Sequence, residues 1–229
     1  MTPGIGDESG QAAPLYITAV VGLLFLALVF FALGEAGVQR NGAQGAADAS
    51  ALAVAKESRS LLEADLKTHL ADSDYFTSVF NEPFPGSSGN ACWKASAFAA
   101  LNKAGDVQCG ELTDGRWGYR VRLKSDKGMS VNVVPGTEGK RAEAEAVAVV
   151  EPRCTFVSEP VPDPSTEPDP STEPAPSADP SPTVDPDSDA VAPSIGKVRC
   201  DGGPVWVVDS EDPTLMPDMA DLFSVHLAE

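Results

Sequence analysis

Residues 12–33 read AAPLYITAVVGLLFLALVFFAL, a run of 22 residues without a charged side chain. A helix of this length spans roughly 33 Å, which exceeds the ~30 Å hydrocarbon core of a bilayer. A single span must satisfy its backbone hydrogen bonds internally, so a helix is the conformation expected in lipid. Pro14 falls in the first turn, where a missing N–H is tolerated. The stretch therefore predicts a transmembrane helix over residues 12–33, preceded by a short flank, residues 1–11.

A cleavable secretory signal is the alternative for this stretch, with its cleavage site at Ala32, Leu33 and Gly34. The apolar run is longer than the ~7–15 residues of a signal core, and no Lys or Arg precedes it. We therefore expect a retained, single-pass anchor. Arg40 alone would weakly place the rest of the chain in the cytoplasm, whereas the cysteines indicate the opposite side.

Charge is distributed unevenly along the 229 residues, which hold 34 acids against 16 bases for a net charge of −18. Because the chain has no sustained Lys/Arg cluster, nucleic-acid binding is not expected. The chain has two histidines and neither a phosphate-loop nor a zinc-protease motif. The sequence thus nominates no catalytic, cofactor-binding or metal-ligating residue, and no small-molecule substrate or cofactor.

The cysteines are Cys92, Cys109, Cys154 and Cys200. They contain no C-x-x-C pair, and two histidines do not complete a regular zinc site at these spacings. We interpret them as two disulfides in an oxidising compartment. Three connectivities are possible. We favour Cys92 with Cys109, joining a short helix to the next strand, and Cys154 with Cys200, closing the loop of an acidic segment. The alternative is four reduced thiols in a cytosolic protein.

The helical pattern continues beyond Gly34 to about Leu70. Small side chains recur every four residues, at Ala43, Ala47, Ala51 and Ala55. Such a stripe lets another backbone approach closely, which suits either a partner helix or the buried face of the chain's own domain. Glycines just outside the membrane, at Gly37, Gly42 and Gly45, would weaken the helix and are compatible with a kink or hinge.

Residues 34–158 are predicted to add a small antiparallel sheet with one short helix to the outward part of the long helix. The short helix would run from Cys92 to Gly105, with Trp93, Ala97, Ala100 and Leu101 on one side. Strands are predicted at 117–124, 129–134 and 142–150, with a turn at 125–128 and a hairpin loop at 136–140. Alternating cations at Arg120, Arg122 and Lys124 indicate a solvated sheet face. The predicted fold class is α+β.

Residues 159–194 contain nine acids, eleven prolines and no base, with the hexapeptide DPSTEP twice in tandem. This composition predicts a disordered, partly polyproline-like spacer. It would either carry the following piece outward or loop it back.

Residues 195–229 are predicted to be a short β-rich piece. A hairpin of 195–200 and 205–208 is expected, and Pro204 should confine its second strand to an edge. A last strand is predicted at 222–227. Thirty-five residues are few for an independent core, so we expect this piece to dock on the preceding sheet. An acidic tail that binds a partner is the rival interpretation.

One stretch of the sequence resembles a known family. Gly10 to Ala13 lead into the apolar helix, and Arg40 and the run QGAADASALA at 44–53 follow it. Together they resemble the amino-terminal module of TadE/TadG-like proteins of the Flp (tight-adherence) pilus assembly system, particularly the actinobacterial type. The resemblance covers about residues 8–56 and implies a pilin-like membrane helix that continues outward. Pilin-like members cut by prepilin peptidase carry Glu five residues after the glycine, where this chain has Leu15. We therefore expect an unprocessed protein and not a major pilin.

The leading hypothesis is a non-enzymatic, single-pass, minor pseudopilin-like accessory protein of Flp/Tad-type pilus assembly at the cell envelope. Residues 1–11 would be cytoplasmic and the bulk of the chain extracytoplasmic. Its partners would be the bilayer and other pilus-assembly membrane proteins, reached through helix packing. The alternative is a membrane-tethered extracellular adhesion or ligand-binding module with no pilus role. A third class, an envelope enzyme, lacks a nucleophile and base at a recognisable spacing.

Overall fold

The computed structural model describes residues 12–84, 86, 90–128, 139–159 and 194–228. The helices are α1 (Ala12–Thr68), α2 (Ser73–Asn81), α3 (Trp93–Leu101) and α4 (Met219–Leu222). The strands are β1 (Ala104–Glu111), β2 (Gly118–Gly128), β3 (Arg141–Pro152), β4 (Cys154–Ser158), β5 (Ser194–Cys200), β6 (Val205–Asp209) and β7 (Phe223–Leu227). A single turn of 3₁₀ helix lies at Pro213–Leu215. One long apolar helix with antiparallel strands and short helices is an α+β fold, as predicted.

The strands form two antiparallel sheets, in the order β1-β2-β3-β7 and β4-β5-β6. The strands predicted at 117–124 and 142–150 are the paired β2 and β3. β7 lies on the other side of β3, so the last residues dock on the preceding sheet, as predicted. The second strand of the predicted hairpin, β6, follows Pro204 and is an edge strand, also as predicted.

The outer half of α1 packs across the first sheet. Helix α1 continues without a break through Gly37, Gly42 and Gly45. The inward face of α1 includes Ala47, Ala51, Val54, Ala55, Leu62 and Leu66, each 0% exposed. The sheet supplies Tyr119, Val121, Leu123, Ala146, Ala148 and Val150 to the same core. Small side chains on the helix let it lie close to the larger side chains of the sheet, which is how a dense core forms here.

The helix α2 joins the two sheets and was not predicted from the sequence. The Asp72 carboxylate caps it by accepting hydrogen bonds from the backbone N–H groups of Asp74 and Tyr75, at 3.1 and 3.0 Å. Phe76 packs against Phe156 of the second sheet with the two rings tilted and their centroids 5.4 Å apart. Phe80 stacks against Phe223 of the first sheet at 5.2 Å. Aromatic pairs of this kind make α2 the link between the sheets.

The side chain of Asn81 continues the second sheet beyond its edge strand β4. Its Nδ2 donates to the carbonyl of Phe156 at 2.8 Å, and its Oδ1 accepts from the N–H of the same residue at 2.9 Å. These are the two hydrogen bonds that a neighbouring strand would make at this position. Asn81 therefore satisfies the backbone of β4 where no strand follows.

Replacing Asn81 with alanine is expected to lower the free energy of unfolding by about 1–2 kcal/mol, because two hydrogen bonds to the β4 backbone are lost. Asn81→Asp keeps the acceptor and loses the donor, so its free energy of unfolding should fall between those of the original chain and the alanine variant. Denaturant unfolding of the disulfide-intact chain measures the series. An alanine variant within ~0.5 kcal/mol of the original chain would show that water replaces the amide without cost.

The predicted turn at 125–128 is wrong, because β2 continues through Gly128 and pairs with Arg141 beyond a bulge. The strand predicted at 129–134 and the first part of the loop at 136–140 lie outside the described residues. The helix predicted to reach Gly105 ends at Leu101, and β1 begins at Ala104. Lys103 ends the helix with φ 57°, and Asp106 has φ 50° at an irregularity in the pairing of β1 with β2. This left-handed backbone separates the helix from the strand.

The two ends of the acidic segment lie side by side. Residues 160–193, for which disorder is predicted, lie outside the described residues. Strands β4 and β5 flank them as paired neighbours, with Ser158 opposite Gly196. The N–H of Glu159 donates to the carbonyl of Ile195 at 3.1 Å. The residues that follow the segment therefore lie beside those that precede it, and the alternative in which the segment carries the last residues outward is wrong.

Candidate membrane anchor and interaction surfaces

The amino-terminal half of α1 exposes apolar side chains in every direction. Leu23 is 67%, Phe25 60% and Phe30 81% exposed. Within the described residues this is the one helix long and apolar enough to cross a membrane, and its most apolar 18-residue stretch has a mean hydropathy of 2.7. The hydroxyl of Thr18 donates to the carbonyls of Pro14 and Leu15, both at 3.0 Å, so the polar group is satisfied inside the helix. A helix that is apolar all round and uncovered by its own domain suits a lipid environment.

Two glutamines fix the folded domain to α1 just beyond its apolar half. The Gln39 amide donates to the carbonyl of Gly128, at the end of β2, at 3.1 Å. The Gln44 amide donates to the carbonyl of Glu145 in β3, also at 3.1 Å. Gln39 follows Leu33 by six residues, or about 9 Å of helix. The sheet therefore begins close to the end of the apolar half, without an intervening linker.

The alanine stripe predicted for helix packing lies inside the chain's own core. Ala43 is 2% exposed, and Ala47, Ala51 and Ala55 are 0% exposed. Strands β2 and β3 and helix α3 contact α1. Of the two alternatives that the sequence left open, the structure supports packing against the chain's own domain. A partner helix would have to use other faces of α1.

The hydroxyl of Ser58 on α1 connects the helix to β2 and to the residue just before it through two hydrogen bonds. Its Oγ accepts from Trp117 Nε1 at 2.9 Å and from the Tyr119 hydroxyl at 3.0 Å. Ser58 is 0%, Trp117 4% and Tyr119 2% exposed. Burial raises the pKa of Tyr119 above its ordinary value, so its hydroxyl stays protonated and remains a donor. These three side chains are a buried polar contact that positions the sheet on the helix.

The cysteines lie in two pairs at disulfide distance. Cys92, just before α3, pairs with Cys109 of β1, with their Cα atoms 5.7 Å apart. Cys154 and Cys200 are directly opposite in β4 and β5. The second pair closes the chain around the acidic segment, whose ends it holds together.

The cations of β2 lie on the solvent face of the first sheet, as predicted. Arg120 and Arg122 both contact the Glu145 carboxylate, and Lys124 lies 2.7 Å from Glu143. The hydrogen bond that the Lys124 ammonium donates to the Glu143 carboxylate raises the pKa of Lys124. This face is a set of exposed ion pairs between neighbouring strands, which contribute little stability each. Among the residues the structure describes, no three His, Cys, Asp or Glu side chains cluster as metal ligands would.

The side of α3 that carries its large apolar residues faces solvent. Trp93 is 56% and Leu101 78% exposed, whereas Ala95 and Ala99 on the opposite side are 0% exposed. Lys94 reaches Glu57 of α1 at 3.4 Å. The alanines allow α3 to pack closely on α1, and this leaves the bulky side chains outside. The sequence identified the apolar side of α3 but not that the small side is the buried one.

Two substitutions on α3 test this orientation. Leu101→Ala should change the free energy of unfolding by no more than ~0.5 kcal/mol, because the side chain is exposed. Ala99→Leu should lower it by about 1–3 kcal/mol, because the larger side chain has no space against α1. Thermal or denaturant unfolding of both variants checks the pair. The reverse order of effects would contradict the described packing.

The amino-terminal region is similar to a known protein family. Residues 10–57 match the family described as putative Flp pilus-assembly TadE/G-like. This similarity covers about a fifth of the chain, and residues 10–57 are called the TadE/G-like segment below. The match confirms the resemblance seen in the sequence, and it ends one residue before Ser58. The TadE/G-like segment thus comprises the apolar half of α1 and the alanine stripe, while every strand lies outside it. No curated protein and no solved structure matches the chain.

Proposed function

We propose that the chain is a membrane-anchored, minor pseudopilin-like accessory protein of Flp/Tad-type pilus assembly. The observation that carries this proposal is the TadE/G-like match over residues 10–57. The matched residues coincide with the part of α1 that is exposed and apolar at one end and buried under the sheet at the other. The same helix therefore provides both the membrane anchor and the scaffold of the folded domain.

The proposed mechanism is positioning and packing, without catalysis. Because α1 runs unbroken from its apolar half into the core, it holds the domain at a fixed height above the bilayer. Contacts with other pilus-assembly membrane proteins would use the lipid-exposed face of α1, since the alanine stripe is already covered. Small and apolar side chains on that face are suited to helix association in lipid.

The proposed topology has residues 1–11 in the cytoplasm and the bulk of the chain on the extracytoplasmic side. It is supported by the pairing of all four cysteines at disulfide distance, because disulfides persist in oxidising compartments. The pairs also stabilise the domain, with Cys154 and Cys200 closing the longer loop.

Deletion of the gene in a piliated strain is expected to reduce surface pili, counted by electron microscopy and by the amount of pilin sheared from cells. Full-length protein should restore them. A chain in which residues 13–33 are replaced by an unrelated apolar helix of equal length should reach the membrane but fail to restore piliation, because its lipid-exposed face no longer fits partner helices.

The deletion strain tests the role in pilus assembly, and the strain with the unrelated helix tests packing through the membrane helix. Normal piliation in the deletion strain would overturn the role in pilus assembly. Full rescue by the chain with the unrelated helix would retain that role but overturn packing through the membrane helix. Binding of an extracellular ligand by the domain in a strain with unchanged piliation would instead favour a tethered adhesion module.

A further inference from the structure

Three cations surround the point where the sheet meets α1. The contact is the hydrogen bond from the Gln39 amide to the carbonyl of Gly128. Arg40 follows Gln39 in α1, and Lys127 precedes Gly128 in β2. Lys140 follows Gly139. The carbonyl oxygen of Gly139 lies close to Gly128, since a Cβ atom added to Gly128 would be 2.6 Å from that oxygen. Each cation is therefore one residue from the same junction.

None of these three side chains forms an ion pair with another described residue, and all three residues are exposed. The acids of the neighbouring strands have partners of their own. Arg141 lies 2.7 Å from Asp106 and 3.7 Å from Asp126. The Glu143 carboxylate contacts Lys124. Within the described part of the chain, the positive charge of Arg40, Lys127 and Lys140 is therefore not neutralised by an ion pair.

The junction lies just beyond the lipid headgroups if the apolar half of α1 spans the bilayer. Arg40 follows the last residue of the apolar run, Leu33, by seven residues, or about 10 Å of helix. The polar region of a bilayer adds about 5–8 Å to each side of the hydrocarbon core. Arginine and lysine side chains are long enough to cover the remaining distance to the phosphates. The rest of the domain extends away from the membrane, because β3 begins at Arg141 beside the junction and ends at Pro152.

We propose that Arg40, Lys127 and Lys140 bind the anionic phospholipid headgroups of the bilayer in which α1 is embedded. Polybasic groups beside a membrane helix attract anionic lipid with an effect that falls off within a Debye length. The chain as a whole carries a charge of −18. Localising three free cations at the junction therefore orients the acidic domain with this end toward the membrane. The proposal depends on the membrane anchor and does not depend on a role in pili.

The test is the lipid selectivity of the full chain in bilayers of phosphatidylcholine with a minor fraction of phosphatidylglycerol. Spin-labelled versions of the two lipids report by electron paramagnetic resonance which one associates with the protein. The original chain should prefer phosphatidylglycerol, and the preference should disappear in 1 M salt. The triple variant Arg40→Gln, Lys127→Gln and Lys140→Gln should lose the preference for phosphatidylglycerol. Each removed cation should lower the relative affinity for that lipid by up to about fivefold.

The matched control is the triple variant Lys56→Gln, Arg153→Gln and Arg199→Gln. It makes the same change of net charge at exposed residues remote from the junction and should retain the preference. Absence of any preference in the original chain would overturn the proposal without requiring a variant. Equal loss in both triple variants would also overturn it, because the effect would then follow net charge and not position.

Discussion

Arginine in place of Leu24 and Leu28 is expected to abolish stable membrane insertion. Both leucines lie in the apolar half of α1 and are exposed, at 61% and 55%. Each change replaces a favourable transfer to the bilayer centre with an unfavourable one, at about 3–4 kcal/mol, or about 6–8 kcal/mol for the pair. The fraction of protein that remains in membranes after carbonate washing measures the outcome.

The control for this experiment makes the same chemical change on the folded domain. Leu101 and Leu215 are also exposed, at 78% and 56%, but lie outside the apolar half of α1. A chain with Leu101→Arg and Leu215→Arg should stay fully in the washed membranes. If the Leu24→Arg and Leu28→Arg chain stayed there as well, α1 would not be the anchor.

Replacing Ser58 with alanine is expected to lower the free energy of unfolding by about 2–6 kcal/mol. The substitution leaves the Trp117 indole N–H and the Tyr119 hydroxyl buried without the acceptor they share. Each orphaned buried donor costs about 1–3 kcal/mol. Denaturant unfolding of the disulfide-intact chain measures the loss. Ser60→Ala is the matched control, because Ser60 is exposed and its hydroxyl bonds only to the Lys56 carbonyl of its own helix.

A second substitution distinguishes the loss of this contact from a general effect on α1. Adding Tyr119→Phe to Ser58→Ala removes one of the two orphaned donors and should recover about 1 kcal/mol or more. In the original chain Tyr119→Phe alone should be destabilising, since it removes a hydrogen bond that is satisfied. Additive effects of the two changes would contradict the shared contact.

The parts of the fold that could be predicted are those with a long or regular pattern. The structure contains four elements that the sequence predicted from such patterns: the apolar half of α1, the alternating strand β2, the Val/Ala-rich strand β3 and the hairpin around Pro204. The missed elements are short and irregular. β1 contains two glycines and left-handed Asp106, so it shows no alternation. β4 has five residues, and α2 has nine. Asp72 followed by Phe76, Val79 and Phe80 was the available signal for α2.

Tertiary packing decided what the sequence pattern left open. A stripe of alanines on α1 has the same spacing whether it meets a partner helix or its own sheet, and only the folded chain shows that it meets the sheet. The side of α3 with the large apolar residues faces solvent for a related reason. The two helices lie close together, so only the small side chains of α3 fit against α1. The junction cations were missed because Arg40, Lys127 and Lys140 are far apart in sequence, and the Gln39 to Gly128 contact brings them together.

We propose that α1 anchors the folded domain on the oxidising side of the membrane. The most direct test is to isolate the protein from native membranes, alkylate it without reduction and map its cysteines by mass spectrometry. We expect no alkylated cysteine, and peptides that link Cys92 to Cys109 and Cys154 to Cys200. Four alkylated thiols on the membrane-bound chain would place the domain in a reducing compartment and contradict the topology and the pilus role proposed from it.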